Sequence, residues 1–223
     1  MDDKVITAIR VQKHDPGRLN IELDGEFAFG LSRMTAAWLK VGDRISESRA
    51  ADLQKSDASE SAYQKATRLL DYRPRTEMEI RQKLQQKGFE TEEIETVVRR
   101  LKNANLVADE QFAKMWIENR NESHPRSRRM IRYELKNKGI SEQIIDNALT
   151  ESEQDSELAM KAASRYARRL NSVDRQAFQK RLSAYLARRG FSYGTIAPVV
   201  RDLINKVENG QGLNLDYEDN DNG

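Results

Sequence analysis

A twelve-residue corner is written three times in this chain at a constant interval. KLQQKGFETEEI begins at residue 83, ELKNKGISEQII at 134 and YLARRGFSYGTI at 185, so the step is 51 residues (134 − 83 and 185 − 134). Each copy reads as the last turn of one helix, a glycine suited to left-handed backbone, and the start of a second helix. A repeat of this length restricts the chain to stacked supersecondary units, which bury too little core alone and need neighbours.

The correspondence extends on both sides of the corner. Pro74, Arg75 and Thr76 match Pro125, Arg126 and Ser127; Ile80 matches Ile131 and Leu182; Leu84 matches Leu135 and Leu186. Gly88, Gly139 and Gly190 align, as do Ile94, Ile145 and Ile196, and Val98, Leu149 and Val200. In the first unit the pattern predicts a helix over about 61–71 led by Ser61, a second from Thr76 to Lys87, and a third from Thr91. The last carries Ile94, Val97, Val98 and Leu101 at i, i+3, i+4, i+7, one apolar stripe. The third unit lacks the Pro-Arg-Ser/Thr lead-in, and its first helix, in SEQDSELAMKAASRYARRL, is expected to be longer.

Residues 1–58 have another texture. VITAIRVQ alternates β-branched and polar residues, and RLNIELDGEFAFGL reads as strand, Asp24-Gly25 turn, strand. Ile21, Leu23, Phe27 and Phe29 are expected on one face of a three-stranded sheet, followed by one or two short helices with Trp38 and Leu39 in the core. The expected fold class is therefore mainly α. Tandem three-helix repeats at 59–107, 108–152 and 153–207 would form an elongated curved array, preceded by a small β-containing module and followed by a disordered acidic tail at 208–223.

Composition sharpens this. Mean hydropathy is −0.82 and a third of the residues (33%) are charged, so any core must come from thin amphipathic stripes. No apolar run is long enough to span a bilayer, and MDDKVITAIR does not resemble a secretion signal. With no cysteine, disulfides and thiolate metal sites are excluded. Only two histidines occur, His14 and His124, and no catalytic motif is present, so no enzyme activity, cofactor or metal is expected. The expected location is cytoplasmic. The net charge of +2 divides unevenly: residues 61–206 carry 29 Lys/Arg against 20 Asp/Glu, while 207–223 carry no base and 5 acids.

Three stretches carry a resemblance to a known family: RT-x₃-I-x₃-L-x₃-GF at 75–89, DEQFAKMWIENR at 109–120 and PRSRRMIRYELKNKGIS at 125–141. Together they resemble the RecX regulators of bacterial RecA recombinase, over about residues 61–207. The family often has glycine two residues after the second unit's proline, where Ser127 stands here. The resemblance implies a non-enzymatic protein that lies in the groove of the RecA–DNA filament. It would limit filament growth and damp strand exchange and coprotease activity, and so modulate DNA repair and the SOS response.

The residues suited to such a partner are the bases on and beside the second helix of each unit. They are Arg75, Arg81 and Lys87 in the first; Arg126, Arg128, Arg129, Arg132, Lys136 and Lys138 in the second; and Arg168, Arg169, Arg188 and Arg189 in the third. Arg suits carboxylate or phosphate forks. The alternative for each is a solvated face or an ion pair along the helix, and Lys87, Lys138 and Arg189 also suit the helix dipole. Tyr133 and Tyr193 are further candidate contacts, whereas Phe112 and Trp116 are expected in the core. The repeated corner also fits a tandem helix-turn-helix acting on DNA without a recombinase, but ETEEIE and SEQIID place carboxylates where base-reading residues would sit. A monomer with weak, sequence-independent DNA binding is compatible with both readings.

Overall fold

The structure, a computed structural model, describes residues 3–170 and 174–208. It divides into two compact units, 1–108 and 109–223. The acidic tail expected beyond Glu208 lies outside the described residues.

The first unit opens with a sheet of four strands, β1 (Lys4–Val11), β2 (Arg18–Leu23), β3 (Glu26–Ser32) and the two-residue β4 (Arg44–Ile45), antiparallel in the order β3-β2-β1-β4. Asp24 and Gly25, both at positive φ (52° and 89°), make the two-residue hairpin turn. Three of the four residues expected on one face are buried, namely Ile21, Leu23 and Phe29, but Phe27 is 64% exposed. The cause is a bulge: Ile21 pairs with Phe29 while its neighbour Glu22 pairs with Phe27, so Ala28 is an extra residue that reverses the side-chain alternation. Trp38 is likewise not core but 89% exposed. Residues 33–38 form consecutive turns rather than a helix, and these bring Ala36 and Leu39 onto the sheet instead.

The first long helix, α1 (Glu47–Tyr72), begins well before the expected Ser61; Ser46 caps it through the Arg49 amide at 3.2 Å. It belongs to two cores. Ala50 and Leu53 pack with the sheet residues, and Ala62, Tyr63, Ala66, Leu69 and Leu70 pack with α2 (Glu77–Gln85) and α3 (Thr91–Asn103). Between them Asp57, 3% exposed, accepts from the Ser32 amide at 2.6 Å and from Arg18 at 2.8 Å. The early start escaped the sequence pattern because ESRAADLQKSDASE offers only one large apolar residue, Leu53.

The second unit holds α4 (Asp109–Ser123), α5 (Arg128–Asn137), α6 (Glu142–Thr150), α7 (Asp155–Ala167), a 3-10 turn (Arg168–Leu170), α8 (Arg175–Arg188) and α9 (Tyr193–Glu208). It has two clusters, one of α4, α5 and α6 residues and one of α7, α8 and α9 residues. The first helix of the third set is not longer than its counterparts. The added length is in α8, 14 residues against 9 in α2 and 10 in α5, because Asp174 caps it through the Ala177 amide a turn before the repeat alignment would start it.

The corner recurs in three dimensions. Gly88, Gly139 and Gly190 have φ of 83°, 80° and 88°. In each copy the residue after the glycine donates to the carbonyl five back: Phe89 to Leu84, Ile140 to Leu135, Phe191 to Leu186, at 3.1–3.3 Å. The glycine amides bond Gln85, Lys136 and Ala187, completing a Schellman motif each time. Of these six apolar residues Leu84, Leu135, Ile140, Leu186 and Phe191 are buried and Phe89 is half-buried, so each corner is closed by hydrogen bonds at the end of its first helix and held by core contact. Asn105 (φ 53°) ends α3 with the same pair of bonds, Leu106 to Leu101 and Asn105 to Lys102.

Candidate functional site

The second helices α2, α5 and α8 carry most of the candidate cations, and the structure divides these by what each already touches. Arg81 on α2 bonds Glu95 on α3 at 2.9 Å and Glu77 on its own helix at 3.0 Å. Arg132 repeats this one period later, bonding Asp146 on α6 at 2.5 Å and Glu142 at 3.1 Å, and Lys136 also pairs with Glu142. The Glu95 and Asp146 hydrogen bonds, respectively, lead the causes that hold the Arg81 and Arg132 guanidiniums above their ordinary values. Lys136's hydrogen bond similarly holds the Glu142 carboxyl down. These pairs are solvent-accessible, so they are weak and able to exchange partners.

A second set holds α4, α5 and α6 to α7 and α8. The Ser127 amide donates to the Arg189 carbonyl at 3.0 Å, and the Arg189 guanidinium donates to the Pro125 carbonyl at 3.2 Å. Arg128 gives its amide to Asp155 at 2.8 Å and its guanidinium to Gln154 at 3.1 Å and to the Leu149 carbonyl. Arg165 reaches the Glu122 and Ser123 carbonyls at the end of α4. Nearby, Glu134 accepts from Arg120 at 2.9 Å, from Trp116 Nε1 at 2.8 Å and from Arg126. Burial alone would raise its carboxyl; the Arg120 and Trp116 hydrogen bonds and the two guanidinium charges outweigh that and hold it below the usual carboxylate range. Ser127, in place of glycine, is wholly buried and caps α5 through the Met130 amide at 3.2 Å.

Of the remaining candidates, Arg75 donates to the Leu69 carbonyl at 3.0 Å and so ties down the end of α1. Lys138 lies over the Trp116 ring at 4.5 Å and the Phe112 ring at 5.5 Å, and these two rings are packed in the α4 core as expected. Arg168, half-buried, belongs to the 3-10 turn. Lys87, Arg129, Arg169 and Arg188 are exposed and have no partner among the described residues, and Tyr133 and Tyr193 are exposed as well. The pattern overlooked Lys180 and Arg181 on α8, which are exposed and unpaired too. The available signal was negative: no Asp or Glu occurs from Arg175 to Arg201.

Among the described residues, no group of three His, Asp or Glu could hold a metal ion, and no helix is long and apolar enough to cross a membrane. The fold defines a protein of tandem three-helix units, with cations clustered on the second helix of each. Family models match along the chain: "Regulatory protein RecX N-terminal domain" at 4–46, and the first, second and third three-helix domains of RecX at 62–101, 109–149 and 153–200. The regulatory protein RecX of Clostridium perfringens (strain SM101 / Type A) is 31% identical over 206 residues, 90% of this chain and 96% of that one. That of Bacillus pumilus (strain SAFR-032) is 29% identical over 91% of this chain and 79% of its own length. A crystal structure of regulatory protein RecX superposes with a TM-score of 0.66 at 28% identity, covering 89% of this chain and 99% of that one. RecX from Lactobacillus salivarius shares the fold, with a TM-score of 0.58 at 23% identity over 66% of this chain and 97% of that one. The chain belongs to the RecX family of regulatory proteins.

Proposed function

We propose that the chain regulates RecA by binding the RecA–DNA filament along its helical groove. It acts as a cytoplasmic monomer without catalysing a reaction. Its binding limits filament growth and so damps strand exchange, ATP hydrolysis and coprotease activity, and through them DNA repair and the SOS response. The observation that carries this reading is the family match over three copies of one three-helix unit, a periodic protein suited to a periodic partner. Weak contacts made in parallel then give avidity without any one tight site. Lys87, Arg129, Arg169 and Arg188 are immediately available to such a partner, whereas Arg81, Arg132 and Lys136 can exchange a weak internal carboxylate for one on the filament. Arg75, Arg126, Arg128, Lys138 and Arg189 serve more by holding those faces in place.

The test is single-strand-dependent ATP hydrolysis by the host's RecA, titrated with this protein from far below to equal stoichiometry. Inhibition at a small molar fraction, at concentrations too low to cover the DNA, is the expected result. Inhibition only once the DNA itself is saturated would mean simple competition for DNA and would favour the helix-turn-helix reading.

A further inference from the structure

Third-unit helix α8 differs in charge from its counterparts. The Arg–carboxylate bridge of the first two units (Arg81–Glu95, Arg132–Asp146) is replaced, one period on, by Ser183 and Ala197. Helix α9 has no acid in its first turn, unlike α3 with Glu92 and Glu93 or α6 with Glu142. The carboxylates that neutralise α2 and α5 and would repel phosphate are therefore missing from this unit.

Along α8 this leaves an open groove of about 340 Å³ lined by Tyr166, Ala177, Lys180, Arg181, Ala184 and Arg188, without a carboxylate. The three cations have no ion-pair or hydrogen-bond partner among the described residues. Arg181 and Arg188 are two turns apart, about 10 Å along the axis, with the small Ala184 between them. The charges thus form a row rather than a point. The tyrosine wall is held in place: Tyr166 stacks on Tyr185 with centroids 4.0 Å apart, and the Arg189 guanidinium lies 4.4 Å over Tyr185. A larger groove between α8 and α9 is less suited to an anion. Arg175 there already pairs with Glu208, which leaves Arg201 as a single cation of its lining unpaired among the described residues, against three on the other face. Pro198 also removes the helical donor to the Gly194 carbonyl, leaving an acceptor on the wall.

We infer that the α8 groove binds the phosphodiester backbone of a nucleic-acid strand, with Lys180, Arg181 and Arg188 as the phosphate contacts and no readout of base sequence. This goes beyond the reading above by placing on one face the weak, sequence-independent DNA binding expected from the sequence, and it rests on that reading only for the choice of DNA as ligand. Backbone contacts of this kind give salt-dependent, sequence-indifferent binding.

The test is fluorescence anisotropy of a labelled oligo-dT strand with the full chain over a range of salt. It compares K180Q/R181Q/R188Q with K13Q/R44Q/R68Q, which removes three exposed, unpaired cations from the first unit. The α8 variant should bind roughly tenfold more weakly at low salt and lose about 2 from the log–log salt slope. The first-unit variant should match the wild type, and a mixed-base strand should bind like oligo-dT. Equal losses in both variants, or no loss in the α8 variant, would overturn the inference, and unchanged thermal melting confirms that both variants fold. RecA ATPase inhibition measured on the same proteins separates the two readings. An α8 variant that loses oligonucleotide binding but still inhibits sub-stoichiometrically supports the groove and leaves the filament reading intact. A wild type that binds the strand through α8 yet never inhibits sub-stoichiometrically also supports the groove, while removing the filament reading.

Discussion

Ser127 and Arg189 meet through their backbones, the amide of one on the carbonyl of the other at 3.0 Å, and the Arg189 side chain returns to Pro125 at 3.2 Å. A residue at the end of the third unit's second helix thereby fixes the lead-in to the second unit's second helix. Arg128, one residue on, reaches across to Asp155, Gln154 and Leu149. Arg128→Ala and Arg189→Ala should each lower unfolding free energy by about 1–3 kcal/mol. Their effects should fall short of or exceed the sum by at least 0.5 kcal/mol, because they share one junction. Arg129→Ala should stay within about 0.5 kcal/mol. Urea unfolding of wild type, the Arg128→Ala and Arg189→Ala variants, their double variant and Arg129→Ala checks this, and simple additivity would show that the junction does not act as a unit.

The corner glycines should not be equally sensitive. A Cβ at Gly88 would meet nothing within 4 Å, so Gly88→Ala should cost about 1–2 kcal/mol for the left-handed backbone alone. A Cβ at Gly190 would stand 2.6 Å from Ser127 Oγ and 3.0 Å from Met130 Cβ. Gly190→Ala should therefore cost about 1–3 kcal/mol more. Midpoints from denaturant curves decide the order.

Glu134 should make stability fall with acid. Its carboxyl is held below the usual 4.5 in the fold, so its contribution is present above that unfolded value and is lost as pH falls through the folded one. Glu134→Gln should cost about 1.5–3 kcal/mol at pH 7. The gap to wild type should narrow on going to pH 3, and a constant gap would mean that charge is not what Glu134 supplies.

Asp57→Ala leaves the Ser32 amide and the Arg18 guanidinium without their buried acceptor. The expected loss is about 3 kcal/mol, with hydrogen exchange accelerated in β3 and in the first half of α1 before anywhere in α5 or α6.

The helices of the repeat were legible because three copies of one pattern agree, and agreement between copies cancels local ambiguity. Thr76 and Ser127 cap where the spacing put them, and Ile80, Leu84, Ile131, Leu135, Leu182 and Leu186 are all fully buried. The first sixty residues had no second copy to correct them. A single inserted residue, Ala28, turned Phe27 outward, and a run of turns did the same to Trp38. Nor can a one-dimensional pattern tell an arginine that seeks a partner from one that has one. Arg128 and Arg129 are neighbours in sequence, yet Arg128 is bound into the junction while Arg129 faces solvent. That difference depends on Leu149, Gln154 and Asp155, whose approach to α5 no local period encodes.

Helix α1 has a consequence for how the molecule comes apart. Similarity to the family's N-terminal domain stops at 46 and similarity to the first three-helix domain starts at 62. The interval looks like a seam, but it is a continuous helix whose Leu53 roofs the sheet and whose Ala62 and Ala66 sit at the heart of the first bundle. A proteolytic cut or an engineered fusion joint placed there would strip both neighbours of a wall, so the boundary between two sequence modules runs through a single mechanical member.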